Sequence, residues 1–118
     1  MSDNKKTGQI GEDMAAGYLK DKGYTILERN KHFSRVSEVD IIALDTKKTL
    51  VFVEVKTRKT DFCGSPLEAI TPNKYNNIKT GLLTYIAEHP EYKKYRIDAI
   101  SIILNPEPKI SHMENIGF

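Results

Sequence analysis

The segment Leu50–Lys56, LVFVEVK, is the feature that most constrains the fold. Five of its first six residues are apolar, and most are β-branched or aromatic, which is typical of a β-strand. A nearly continuous apolar run needs cover on both faces, as in a strand at the middle of a sheet. Helices are therefore expected on both sides of that sheet.

Patterned segments around this strand predict the rest of a single domain over residues 1–118. The apolar spacing predicts a helix from about Thr7 to Lys22, ended by Gly23, and a second helix from Thr71-Pro72 to Pro90. The polar segment Asn30–Ser37 predicts a turn or mobile loop. The remaining β-prone segments predict strands at Tyr24–Glu28, Glu38–Leu44, Arg96–Leu104 and, shorter, Ile110–Ile116.

Composition excludes several classes of protein. A chain of 118 residues can bury a core without disulfides or a structural metal. The single cysteine, Cys63, forms no internal disulfide and the three histidines lack zinc-ligand spacing, which favours a reducing cytoplasm. We expect neither a signal peptide nor a membrane span, because no suitable apolar run is present. The net charge of +2 is too small to indicate a nucleic-acid partner by itself.

The turn Asp45–Thr49 predicts a β-hairpin whose register can be inferred from charge. If the turn is centred on Lys47, apolar residues oppose apolar residues and charged residues oppose charged residues. A turn with an even number of residues would instead set Asp40 against Val53 or Val55. The favoured register therefore has the opposed pairs Leu44–Leu50, Ile42–Phe52, Asp40–Glu54 and Glu38–Lys56.

This register gathers charged side chains at one end of the hairpin. Asp40 and Glu54 repel each other unless a cation lies between them. Mg²⁺ or Mn²⁺ suits two carboxylates completed by water and phosphate, so Asp40 and Glu54 are the predicted metal ligands. Lys56 is the predicted catalytic base or stabiliser of developing charge. The alternative is that these charges only pair with one another at a solvated strand end, which the adjoining apolar strand disfavours.

Weaker signals surround this cluster. Glu12 shares the packing face of the first helix and can reach the sheet, although the helix dipole alone explains an acid in a first turn. Arg58 and Lys59, with Lys74 from the second helix, can follow a phosphate backbone, although solvated faces have the same composition. Ser65, in the turn Gly64-Ser65-Pro66 after the cluster, is a candidate substrate contact, although a turn of this composition usually has only a structural role.

Asp98 lies within an apolar strand, where it can either support the site or serve as a polar core residue with its hydrogen bonds satisfied. We favour the second interpretation.

Five segments in a fixed order carry a resemblance to a known family. They are GQIGEDMAAGYLKDKGYTILERN, SEVDIIALD, LVFVEVKTR, CGSPLEAITPNK and YRIDAISI. Together they resemble the YraN-like family of uncharacterised bacterial proteins, which looks related to the PD-(D/E)xK nucleases of the Holliday-junction-resolvase type. The resemblance implies a three-layer α/β/α restriction-endonuclease-like fold with a mixed central sheet.

The resemblance also implies roles for individual residues. Asp40 matches the metal-binding aspartate, and Glu54 with Lys56 matches the E-x-K pair. Glu12 matches the acid of the first helix, and Glu38 matches the acid of a GE-x-D stretch. The chain departs from the family where Ser37 replaces the usual glycine and where Lys31-His32-Phe33 replaces an aromatic residue.

These observations predict a cytoplasmic endodeoxyribonuclease that uses Mg²⁺ or Mn²⁺ on DNA, including branched or structured DNA. The alternative is a catalytically silent module for nucleic-acid binding or protein interaction on the same fold. Because cutting both strands of a duplex needs two sites, we also expect a homodimer.

Overall fold

The computed structural model describes residues 2–60 and 70–117, which form a mixed β-sheet and two helices. The sheet has the strand order β1-β2-β3-β4-β5, and only β3 and β4 are parallel neighbours. A parallel pair requires a crossover connection, and α2 lies in that connection. The elements in chain order are α1 (Ser2–Asp21), β1 (Thr25–His32), β2 (Glu38–Leu44), β3 (Leu50–Arg58), α2 (Pro72–Glu88), β4 (Tyr95–Ile103) and β5 (Lys109–Met113).

The central strand β3 divides the core into two layers. Val51 and Val53 pack in the cluster that contains α1, whereas Leu50 and Phe52 pack in the cluster that contains α2. Since alternate residues of a strand face opposite sides of a sheet, the two helices cover opposite faces. The predicted central position of β3 and the α/β class with a mixed sheet are confirmed. Neither helix is long and apolar enough to cross a membrane.

The hairpin of β2 and β3 has the predicted register. Regular pairing runs from Leu44–Leu50 to Ile41–Val53. The matching of apolar with apolar residues was therefore a correct guide over this stretch. Pairing stops one position before Asp40 and Glu54, where the candidate site begins.

Three predicted boundaries are wrong, one of them the end of β5, which lies at Met113 rather than at Ile116. The strand β1 continues to His32, so part of the predicted loop over residues 30–37 is strand. Asn30, Lys31 and His32 are polar, so no apolar alternation marks this end of the strand, and Asn30 has a φ of 53°, a left-handed conformation that asparagine tolerates. The helix α1 begins at Ser2 rather than Thr7, because a polar helical turn carries no apolar signal.

Asp98 on β4 is fully buried, and its carboxylate is satisfied by three partners. Arg96 Nε lies 2.9 Å away, His112 Nε2 2.7 Å away and the Asn115 amide 2.9 Å away. Burial raises the pKa of Asp98, but hydrogen bonds with His112, Asn115 and Arg96 outweigh burial and lower it overall. Asp98 is therefore a satisfied polar core residue, as we favoured.

Candidate functional site

Asp40 and Glu54 meet where the regular pairing of β2 and β3 ends. Glu54 is only 3% exposed, so the pair does not lie at a solvated strand end. Asp40 Oδ2 accepts a hydrogen bond of 2.7 Å from the Val55 amide, which holds its carboxyl against β3. Burial, a hydrogen bond with Glu54 and the negative charge of Glu54 together raise the pKa of Asp40 to about 8. In the metal-free protein, the carboxyl of Asp40 therefore holds its proton more tightly than an ordinary aspartate does.

Lys74 of α2 supplies a positive charge beside this pair. Its Nζ lies 2.6 Å from Glu54 Oε2, which is an ion pair by distance. Among residues 2–60 and 70–117, Glu54 Oε2 is buried and has no hydrogen bond of acceptable geometry, so its contact with Lys74 is an ion pair only. We predicted that Lys74 contacts nucleic acid, and the structure places its ammonium against Glu54.

Two cavities meet at Asp40. The larger, of about 490 Å³, borders α1 and is lined by Thr7, Gly8, Glu12, Asp40, Lys56 and Thr57. The smaller, of about 180 Å³, borders α2, and its lining includes Arg35, Glu38, Asp40, Glu54, Lys74 and Asn77. Asp40 is thus accessible from both sides of the hairpin end.

Glu54 lines the smaller cavity and Lys56 lines the larger one. Because β3 pairs regularly with β4 as far as Arg58, the alternation that predicted a shared face of β3 for Glu54 and Lys56 is kept. Pairing of β3 with β2 ends at Val53, so the predicted pairing of Glu38 with Lys56 is not formed, and Glu38 pairs only with His32 of β1 on the other side of β2.

Glu12 is held by residues that the sequence analysis missed. Its Oε1 accepts hydrogen bonds from Arg29 Nε at 3.0 Å and from Asn30 Nδ2 at 2.8 Å. Glu12 is 8% exposed and reaches β1 from α1, so it does more than interact with the helix dipole. In the sequence, the identity of Asn30 was the only indication of this arrangement, since asparagine tolerates the left-handed backbone that it adopts here. Its partner Glu12 lies far away in the sequence.

The other predicted residues lie at the margins of this site or outside the residues that the structure describes. Glu38 lines the smaller cavity, and its Oε1 lies 3.7 Å from His32 Nε2. Arg58 is half-buried, its buried Nε has no hydrogen-bond partner among the described residues, and Lys59 is exposed. Ser65 and Cys63 lie outside the described residues.

The donor set fits a hard divalent cation held by few protein ligands. Within residues 2–60 and 70–117, no three side chains of His, Cys, Asp or Glu converge to form a complete metal-ligand set. Mg²⁺ characteristically takes only one or two carboxylates and keeps several waters. The facing carboxyls of Asp40 and Glu54, with the poorly satisfied Glu54 Oε2, meet that requirement.

Comparisons with known proteins agree on one family. The model of the uncharacterised protein family UPF0102 matches residues 11–102, which include all the acidic residues of the site. A UPF0102 protein of Syntrophomonas wolfei is 41% identical over 114 residues, covering 95% of this chain and 97% of the relative. One of Clostridium botulinum strain Loch Maree is 47% identical over 104 residues, covering 86% and 83%. One of Bifidobacterium longum is 37% identical over 115 residues, covering 94% and 92%. The chain therefore belongs to the UPF0102 family, the YraN-like proteins that its sequence resembles.

Proposed function

We propose that this protein is a metal-dependent nuclease that hydrolyses phosphodiester bonds in DNA, including branched or structured DNA. The observation that carries the proposal is the carboxyl pair of Asp40 and Glu54, which lies where two cavities meet at Asp40. Strongly shifted pKa values in a cleft are more common at functional sites than elsewhere. A mixed sheet with a helix on each face is also compatible with the restriction-endonuclease-like fold that the sequence resemblance implies.

The residues around the pair suit the stages of such a reaction. Asp40 and Glu54 would hold Mg²⁺ or Mn²⁺, with water and a substrate phosphate as the remaining ligands. When bound, such an ion polarises a phosphoryl oxygen and makes a coordinated water more acidic. Lys56 shares the larger cavity with Asp40 and presents a positive charge for the phosphate or the attacking water.

The remaining acids, Glu12 and Glu38, line the larger and the smaller cavity respectively. Glu12 is oriented through Oε1 by Arg29 and Asn30, so its carboxylate can accept a hydrogen bond from water in the larger cavity. Glu38 adds negative charge to the smaller cavity. Arg58, Lys59 and Ser65 remain the predicted contacts to DNA on the strand and segment that follow.

The test is cleavage by purified protein in Mg²⁺ or Mn²⁺ on duplex, single-stranded and four-way-junction DNA. We expect at least one substrate to be cut. Glu54→Ala and Lys56→Ala should each lower the rate by roughly 100-fold or more, as removal of one electrostatic group in a site commonly does. Lys47→Ala, in the exposed hairpin turn, is the matched control and should cut normally. Cutting that survives both site variants would point to a contaminant or another centre.

A catalytically silent DNA-binding module is the second candidate, and the position of Lys74 favours it. The ammonium already neutralises Glu54, so the acidic pair is tolerated without any metal. Such a module would bind DNA in a salt-sensitive manner that neither Mn²⁺ nor Asp40→Ala alters. Strong dependence of DNA binding on the metal would exclude it.

A further inference from the structure

Lys74 lies where a divalent cation would need to bind Glu54. Its Nζ is 2.6 Å from Oε2, and it lines the same cavity as Glu38 and Asp40. Burial lowers the pKa of Lys74, but contact with Glu54 and the charges of Glu54, Asp40 and Glu38 raise it overall. The side chain therefore remains an ammonium. Two cations cannot occupy one buried oxygen without strong repulsion, so an ion on Oε2 requires Lys74 to move.

The fold allows Lys74 to move without unfolding. Its backbone is fixed in the first turn of α2, where its amide donates a hydrogen bond of 3.1 Å to Oγ1 of the N-cap Thr71. Its side chain, in contrast, is 46% exposed, whereas that of Glu54 is 4% exposed. A long, flexible side chain on a fixed helical turn can exchange between a buried oxygen and solvent.

We propose that the Lys74 ammonium is an exchangeable counter-ion, which neutralises Glu54 in the metal-free protein and competes with the divalent cation for it. This inference rests on the proposed function only in taking Glu54 as a metal ligand. The ammonium limits the repulsion between the two carboxyls when no metal is bound, and metal binding releases it toward the mouth of the smaller cavity. Lys74 thereby sets the affinity of the site for metal without being a ligand.

The test is calorimetric titration of metal-free protein with MnCl₂. We expect Lys74→Met to bind Mn²⁺ roughly tenfold more tightly than the wild type, because the competing cation is gone. Lys79→Met makes the same change on the exposed surface of α2 and should leave the affinity unchanged. Lys74→Arg keeps a positive charge and should return the affinity toward that of the wild type. Glu54→Gln should abolish Mn²⁺ binding both in the wild type and in Lys74→Met.

A second measurement requires no substitution at Lys74. Titration of the wild type with Mg²⁺, followed by NMR of lysine Cε–Hε groups, should shift the Lys74 signal and leave the Lys79 signal in place. An unmoved Lys74 signal in protein that binds Mg²⁺ would overturn the inference.

The possible failures are distinguishable. Equal Mn²⁺ affinity in the wild type and Lys74→Met, with binding that still needs Glu54, overturns the counter-ion role and leaves the nuclease proposal intact. Tighter Mn²⁺ binding by Lys74→Met in a protein that cuts no DNA supports the counter-ion role and overturns the nuclease. Absence of Mn²⁺ binding in both proteins overturns both proposals.

Discussion

Asp98 is fully buried and Asp40 is partly buried, yet their pKa values shift in opposite directions. Burial acts to raise both. Asp98 has Arg96, His112 and an amide as partners, and its pKa is lowered. Asp40 faces another carboxyl, and its pKa rises to about 8. The carboxylate of Asp98 has its hydrogen-bond and charge partners, whereas the surroundings of Asp40 still favour a bound cation. This contrast separates a structural acid from a candidate functional one more clearly than burial does.

Asp98→Asn should lower the free energy of unfolding by about 3 kcal/mol at neutral pH, because it leaves the buried Arg96 without a carboxylate partner on β4. The folded pKa lies below the unfolded value of 3.8, so the unfolded state binds more protons as the pH falls. The extra free energy of unfolding that Asp98 gives the wild type is therefore fully present above the unfolded pKa of 3.8 and is lost as the pH falls through the folded pKa. Urea unfolding of both proteins at about pH 7, pH 5 and pH 3 checks this dependence. Asp21→Asn, at an exposed position, is the control, and an equal loss there would contradict the prediction.

The meeting of Asp40 with Glu54 could be predicted because both lie on one hairpin, where charge matching indicates the register. The positively charged partners of the site's acids could not. Lys74, the partner of Glu54, and Arg29, the partner of Glu12, come from other elements. A sequence pattern does not show how a helix is rotated or where a neighbouring strand extends. The meeting of Asp40 with Glu54 was therefore predictable, whereas the positively charged side chains beside the site's acids were not.

At the scale of elements, α1 approaches β3 so closely that only glycine fits at position 11. A Cβ at Gly11 would lie 1.7 Å from Thr57 Oγ1 and 2.6 Å from Thr57 Cβ. Thr57 belongs to a strand and cannot move far. This contact fixes the next residue of α1, Glu12, over the larger cavity.

Gly11→Ala should therefore push α1 away from β3, at a cost of about 1–3 kcal/mol in the free energy of unfolding. It should also reduce any metal-dependent activity by displacing Glu12. Gly8→Ala is the matched control on the same helix, since its Cβ would meet nothing within 4 Å. That change should stabilise the protein by up to about 1 kcal/mol, as alanine favours a helix. Thermal unfolding of both variants measures the difference, and equal effects would contradict the close-approach argument.

At the scale of the whole molecule, the sheet separates two kinds of ionic cluster. The satisfied network of Arg96 and Asp98 lies near the start of β4, beside Asp45 of the hairpin turn. The acidic pair lies at the other end of the hairpin, where both cavities meet. The β-prone segments predicted the sheet, and the nearly continuous apolar run of β3 predicted its two covered faces. These patterns could not predict the cavities, because they form where regular pairing stops.

The number of DNA strands cut in one encounter should depend on the number of copies of the chain. Under the proposed function, the one carboxyl pair in the described part of the chain would serve one phosphodiester bond, so we expect a homodimer that brings two sites to a duplex. Sedimentation at micromolar concentration should give the mass of a dimer. Supercoiled plasmid should then become linear without accumulating a nicked form. A monomer that accumulates nicked plasmid before linear DNA would contradict the dimer and leave the single-site chemistry in place. A dimer in which Glu54→Ala in one copy converts linear product into nicked product would assign one strand to each site.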